Sequence, residues 1–374
     1  MARAAGTLLA LAALGAAPAR TTAAQGPPDA WRPQTVPLFG ASYSPGLGLL
    51  IGAGVAHTRY GFRALPPSTR LLAQAEYATA ARTYRAEVAG AFRRPLAPAI
   101  LNVELRASGL EIIRFYGFGN KTESSQPDSV YAVHQQQFLL APTVTLPLPL
   151  PLPPRLRLTL GPLVRYAHTR ADTATLLSRT GPYYGARDFG QAGAGAALEL
   201  DTRDVPAAAA GGIHLRLAGQ WYPAAWDVVR PFGSVSAEAS TYVSAGDPPA
   251  ATLALRAGGA AVGGTVPFHE MVYVGGETTV RGYAEQRFAG RSGAYANAEL
   301  RLRVGFLPVG DLGVFGLADA GRVWVPGESS DRWHAATGGG LWFAWHHSRA
   351  TIVSVAAAKS RERTAIYVRA GFMF

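Results

Sequence analysis

The sequence predicts an all-β protein: a transmembrane antiparallel β-barrel of about 16 strands. Three observations predict it. Apolar and polar residues alternate at period two through most of the chain, long and short connections sort by strand parity, and the N-terminus reads as an export signal with no later membrane-length apolar run.

The N-terminus comes first. Arg3 supplies a positive start, Thr7 to Ala17 form a short apolar run, and Thr22-Ala23-Ala24 offers a small-residue cleavage site. A membrane-spanning helix needs roughly 20 consecutive apolar residues. Gly, Pro and Arg interrupt every later candidate. The expected organisation is a signal peptide at 1–24, a short periplasmic segment at 25–35 and the barrel at 36–374.

The strands follow. In Gly212 to Trp221, Ile213, Leu215, Leu217 and Trp221 share one face, and His214, Arg216 and Gln220 the other. In Asn297 to Val304, Leu300, Leu302 and Val304 oppose Asn297, Glu299, Arg301 and Arg303. One apolar face at period two marks a half-buried strand. Strands are expected near 36–44, 46–60, 69–80, 83–93, 98–110, 131–146, 155–170, 189–202, 211–223, 231–244, 251–262, 293–304, 311–324, 334–346, 349–359 and 363–374. Many exceed the roughly 5–6 residues usual in soluble sheets. An even number of long spans fits a barrel that leaves lipid no open edge.

The connections add an independent signal. Those after even strands are short and often Pro-rich: Leu65-Pro66-Pro67, Arg94-Pro95, Pro147 to Pro154, Asp247-Pro248-Pro249 and Leu307-Pro308. The longest, 111–130, 171–188, 263–292 and 325–333, all follow odd strands. A barrel with both termini in the periplasm has short turns on one side and long loops on the other, which a soluble sandwich has no reason to imitate.

Composition excludes other classes. The chain has no Cys, so no disulfide framework, thiolate metal site or lipoprotein anchor. The net charge of +11 rests on arginine, with Lys121 and Lys359 the only lysines, and the arginines are scattered through strands instead of forming a nucleic-acid patch. No G-x-S-x-G elbow, H-E-x-x-H pair or P-loop occurs. His269-Glu270 and His346-His347 read as solvated loop positions. An enzyme, a cofactor and a metal site are therefore not expected.

Four short motifs resemble the BamA/TamA/FhaC superfamily of outer-membrane proteins, also called the bacterial surface antigen family. Val280-Arg281-Gly282-Tyr283, preceded by Gly275-Gly276-Glu277, resembles its loop tip; Leu317-Ala318-Asp319-Ala320-Gly321 with Val323-Trp324 resembles its Phe-x-Asp-x-Gly strand, Leu317 replacing Phe. Asp201-Thr202-Arg203-Asp204 with Pro206 and Gly211-Gly212 resembles its turn motif, and Phe115-Tyr116-Gly117-Phe118-Gly119-Asn120 the YGxGN element of short members. The final Tyr367 to Phe374, expected to alternate to its end, resembles the assembly signal of outer-membrane barrels, with Phe374 as its aromatic terminus. The resemblance implies that the long loop after strand 11 folds into the lumen and docks its Arg-Gly-aromatic tip on the barrel wall. It departs from members that insert or secrete proteins, whose periplasmic (POTRA) modules have no room in 25–35.

Charge makes the docking physically reasonable. A buried Arg281 needs a carboxylate, because stripping one partner from a buried pair costs about 3–5 kcal/mol. Asp319 is the first expected partner and Glu299 the second. Phe315 and Leu317 share Asp319's face, so Val280 and Tyr283 are expected to cover them, with Gly282 and Gly321 at the contact. The expected function is translocation, or membrane insertion and assembly, of a macromolecule or lipid through a loop-gated barrel. The alternatives are a passive anion-favouring pore and a structural surface antigen or anchor. Expected partners are outer-membrane lipids and lipopolysaccharide, and the barrel-assembly machinery through the C-terminal strand. No nucleic acid is expected; cargo and oligomeric state stay open.

Overall fold

The computed structural model describes residues 32–61, 64–94, 97–148 and 156–374, with side chains at 64–66 left aside. The expected signal peptide and most of the Pro-rich run at 147–154 lie outside the described residues.

Eighteen strands occur among the described residues: β1 (Gln34–Ser44), β2 (Gly48–Gly61), β3 (Ala64–Ala78), β4 (Thr83–Arg93), β5 (Ile100–Ser108), β6 (Gln135–Pro147), β7 (Leu156–Thr169), β8 (Phe189–Asp201), β9 (Gly212–Tyr222), β10 (Phe232–Ala245), β11 (Ala251–Gly264), β12 (Val272–Val274), β13 (Phe288–Gly290), β14 (Ser292–Leu307), β15 (Gly310–Trp324), β16 (His334–Trp345), β17 (Ile352–Lys359) and β18 (Thr364–Ala370). Sixteen of them close an antiparallel barrel in sequence order; β12 and β13 form a separate small hairpin. Every expected strand is present, with ends shifted by a few residues. β3 starts five residues earlier than expected, at Ala64, and the last strand stops at Ala370, so the expected alternation does not reach Phe374.

Period two sets which side chain faces lipid. Ile213, Leu215, Leu217 and Trp221 point outward and are exposed, as are Leu300 and Val304. Aromatics gather outside at both rims: Tyr43, Tyr77, Tyr84, Trp221 and Trp324 near the long loops, Phe92, Phe306 and Trp345 near the short turns. Two such belts are the mark of a barrel in a bilayer. No helix among the described residues is long and apolar enough to cross a membrane.

The long connections after β5, β7, β11 and β15 share one end of the barrel. Two of them fold inward. The loop after β11 carries the β12–β13 hairpin into the lumen, and the loop after β5 lies over it: Gly119 N–H donates to Ala289 O at 2.8 Å. The short-turn end is partly filled from the opposite side. There the turn after β8 tucks Ala208, Ala209 and Ala210 inward, where they are almost wholly buried.

Candidate functional site: the docked loop and the barrel seam

The loop tip is deeply buried. Thr279, Val280, Arg281, Tyr283 and Arg287 are nearly inaccessible. Arg281 meets both expected carboxylates. Its Nε and Nη2 donate to Asp319 Oδ2 and Oδ1, each at 2.8 Å, and its main-chain N–H donates to Oδ2 at 3.1 Å. Its Nη1 donates to Glu299 Oε1 at 2.5 Å. The planar guanidinium thus binds Asp319 through a two-pronged fork and still reaches Glu299.

The network continues past the residues the sequence pointed to. Glu299 Oε2 accepts from Arg301 Nε at 2.9 Å and Nη2 at 2.8 Å. Asn297 Nδ2 donates to Asp319 Oδ1 at 2.8 Å and to Thr279 O at 2.7 Å. Two arginines and two carboxylates cancel, which is what a dry site requires. Asn297 and Arg301 share the inward face of β14 with Glu299, so the alternation held a signal for them. Burial alone would lower the Arg281 pKa, but Glu299 and Asp319 together raise it.

Glycine lets the backbones approach. Gly282 has φ +83°, a left-handed conformation that side chains resist. Its N–H donates to Tyr367 Oη at 2.8 Å, and its carbonyl accepts from Ser360 Oγ at 2.7 Å. At Gly321, a Cβ would stand 2.7 Å from Val280 Cγ2. Val280 and Tyr283 pack with Val274, Phe288, Tyr295 and Val323. They do not cover Phe315 and Leu317 as expected. Those two pack with Trp342, Tyr367 and Phe372, because the chain turns inward after Ala370 and brings Phe372 onto them.

That inward turn shapes the seam. Gly371 adopts φ +76°, and Phe372 N–H donates to Ala207 O at 3.2 Å. The Arg301 guanidinium sits 3.9 Å over the Phe372 ring and donates to the Phe374 main-chain oxygen at 2.7 Å. With the chain diverted, β18 has little edge left for β1. The two strands pair at one position, Tyr43 with Val368, against eleven positions between β1 and β2. The loop holds β18 from inside: besides Gly282 and Tyr367, Glu277 pairs with Arg369 at 3.5 Å. Just before β18, Arg363 Nη2 donates to Tyr283 O at 2.9 Å.

The remaining motifs act as clasps. Asn120 of the YGxGN element is buried; its Nδ2 donates to Val323 O at 2.6 Å, and its Oδ1 accepts from Val323 N–H at 3.1 Å. Its main-chain N–H donates to Glu328 Oε1 at 2.8 Å. Arg287 bridges to Glu362 and to Thr122. In the Asp201–Asp204 turn, Thr202 Oγ1 accepts from Ile213 N–H at 2.9 Å, and Arg203 grips Asp201 through two 2.9 Å contacts. Asp204 Oδ1 accepts from the Val205 and Ala210 main-chain N–H groups, shaping the tucked turn.

His269 and Glu270 correct the expectation of a solvated pair. Both are about 1% exposed inside the barrel. Glu270 pairs with Arg165 and accepts from Gln191 Nε2 at 2.8 Å. His269 lies edge-on to Phe189 and Phe268, and burial pushes its imidazole down to about 4. The in-folding of the whole loop carries them there, which their local sequence does not announce. His347 lies in a turn as expected, stacked on Phe306 with Nδ1 2.9 Å from Asp311. Glu199, Asp201 and His214 come close enough to suit a cation. However, Arg203 occupies Asp201, and Arg157 and Arg216 flank Glu199 at 3.4 and 3.9 Å.

A closed sixteen-strand barrel with aromatic belts and a loop docked in its lumen is the architecture of a bacterial outer-membrane protein. The Omp85 superfamily domain model matches residues 95–361, and the chain belongs to that superfamily. No curated protein sequence matches it. Among solved structures it resembles BamA from Haemophilus ducreyi lacking POTRA domains 1–3, with TM-score 0.64 and 15% identity over 91% of this chain and 71% of that one. It also resembles CdiB from Escherichia coli, with TM-score 0.58 and 14% identity over 90% of this chain and 62% of that one. CdiB from Acinetobacter baumannii gives TM-score 0.54 and 13% identity over 91% and 60%. The chain thus spans less than two thirds of either CdiB chain. At these identities the likeness is one of fold.

Proposed function

We propose that the barrel translocates a macromolecule or inserts it into the outer membrane, with the docked loop as its closed state and the β1–β18 seam as its exit. The long loops face outward from the cell and the short turns face the periplasm. The observation that carries this reading is the single-pair seam beside a loop that grips β18 from within. An unpaired strand edge is costly in lipid and is a ready template for another strand. A barrel built only as a wall would pair it fully. Membership of the superfamily supports the same reading.

Pairing of the lumenal arginines around the loop favours a gated barrel over an open anion-favouring pore. Arg165, Arg256, Arg281, Arg287 and Arg301 each meet a carboxylate. The natural absence of Cys allows a direct test. Tyr43→Cys with Val368→Cys places two thiols at the one paired position of the seam. In a deletion strain, the reduced variant should restore the outer-membrane protein and lipid profile and the oxidised one should not. Full restoration by the oxidised barrel refutes the seam, and a profile indifferent to deletion refutes transport.

A further inference from the structure

The short-turn end of the lumen has a wall without carboxylates. Residues 30–75, 88–103 and 129–171 contain no Asp or Glu, and these stretches hold the short-turn halves of β2 to β7. They hold arginines instead. Arg70 on β3, Arg93 on β4 and Arg157 on β7 alternate with outward apolar side chains such as Leu71, Phe92 and Leu158, and so point inward. Arg94, just after β4, adds a further arginine and no acid.

The three inward guanidiniums form one field. Arg70 and Arg157 both lie within electrostatic reach of Arg93. Between Arg93 and Arg157 the wall is polar and uncharged: Asn102 Nδ2 donates to Thr145 Oγ1 at 2.9 Å, and Thr145 and Thr159 hydroxyls meet at 2.8 Å. Arg93 donates to Pro67 O, and Arg157 shares Glu199 with Arg216 and His214. No carboxylate contacts Arg70 or Arg93 among the described residues. The contrast with the loop end is sharp, since there each buried arginine around the tip has its acid. Like charges so close raise the energy of the empty wall, and an anion that fills it relieves the repulsion.

Resting on the reading of the barrel as a conduit, we propose that this wall is a docking surface for an acidic segment of polypeptide entering the lumen from the short-turn side. Guanidiniums bind carboxylates through paired N–H donors, and the Asn102–Thr145–Thr159 ladder offers further polar partners. The opposite side of this mouth is occupied by the buried Ala208–Ala210 turn and by Phe372. A polypeptide is favoured over a phospholipid headgroup because the sheet separates these arginines from the bilayer. The outward neighbours Leu71, Phe92 and Leu101 are apolar and exposed. An exposed guanidinium–carboxylate pair contributes roughly two- to fivefold in affinity, so the two arginines without an acid, Arg70 and Arg93, give about fourfold to twenty-fivefold.

The test uses the whole protein in uncharged detergent at low salt. A fluorescein-labelled deca-glutamate peptide is titrated and followed by anisotropy, with a deca-glutamine peptide as control. Arg70→Gln with Arg93→Gln should weaken deca-glutamate binding by about tenfold, and high salt should abolish it, because salt screens charges beyond a few ångströms. Arg332→Gln, in a loop at the other end, should leave it unchanged. Heat-modifiable mobility confirms that each variant is folded; if the double variant is not, Arg70→Gln is read in its place. Equal binding of both peptides, or undiminished binding by the folded variants, overturns the proposal. So does binding of a short-chain phosphatidylglycerol to this wall without deca-glutamate binding. Loss of the docking wall while the locked seam still blocks complementation removes this inference alone. Peptide binding beside a profile indifferent to deletion removes the transport reading alone.

Discussion

Changing Arg281 to alanine strips Asp319 of the one cation that pairs with it among the described residues. Asp319 keeps Asn297 Nδ2 at 2.8 Å and the main-chain N–H of residue 281 at 3.1 Å, while Glu299 keeps Arg301. The site is then left with one uncompensated negative charge in a dry setting, at a cost of about 3–5 kcal/mol. Asp319→Ala leaves the mirror image, two arginines sharing Glu299, at a similar cost. The double change leaves Glu299 and Arg301 as a neutral pair. It should therefore cost well below the sum of the single changes, with a coupling of about 2–3 kcal/mol. The assay is thiol labelling of Ala284→Cys, the only cysteine in the chain, at a site that is 8% exposed when the loop is docked. Each single change should speed labelling at least a hundredfold, since about 1.4 kcal/mol is a factor of ten. Planar-bilayer conductance should rise in parallel. Additive effects on labelling would show that Arg281 and Asp319 are not coupled and would refute this account of the docked loop.

Three further outcomes are expected. Glu285 is a buried loop carboxyl whose pKa is pushed up to about 7, mainly by burial. The Glu277 N–H opposes the shift and the Glu277 charge adds to it, while Arg363 and Arg114 also face it and lower it. A carboxyl raised on docking favours the docked loop fully below its ordinary value near 4.5 and loses that effect as pH rises through about 7. Labelling of Ala284→Cys, divided at each pH by that of the same variant unfolded in denaturant to cancel thiol ionisation, should thus accelerate tenfold or more from pH 5 to pH 8, and Glu285→Gln should flatten this ratio; an unchanged slope in that variant rejects the assignment. Removing Phe374 should lower the amount of heat-modifiable barrel in the membrane, since its main-chain oxygen and ring both engage Arg301; quantitative blotting showing wild-type levels would count against it. Epitope tags within 111–130 or 171–188 should be reached by antibody on intact cells and a tag at 247–249 should not; surface labelling at 247–249 inverts the topology. The companion site expected at 148–153 lies almost wholly outside the described residues.

The sequence by itself determined the barrel. Alternation is a local property: a side chain two residues along a strand returns to the same face whatever the rest of the chain does. Ile213, Leu215 and Leu217 therefore declared the lipid face, and Asn297, Glu299 and Arg301 the lumen, before any strand was paired. Connection lengths declared the two ends in the same way. The partners of Arg281 were legible too, because few carboxylates face inward near a strand that resembles its docking site. Only the tertiary structure decided how the loop and the last strand fit together. Gly371 turns the chain inward, which puts Phe372 on Phe315, lets Arg301 join Glu299 to the C-terminal turn and leaves the seam one pair long. The burial of His269 and Glu270 was decided at the same level. Contacts between residues far apart in sequence depend on which segments share the lumen, and period and propensity along one strand carry no record of that.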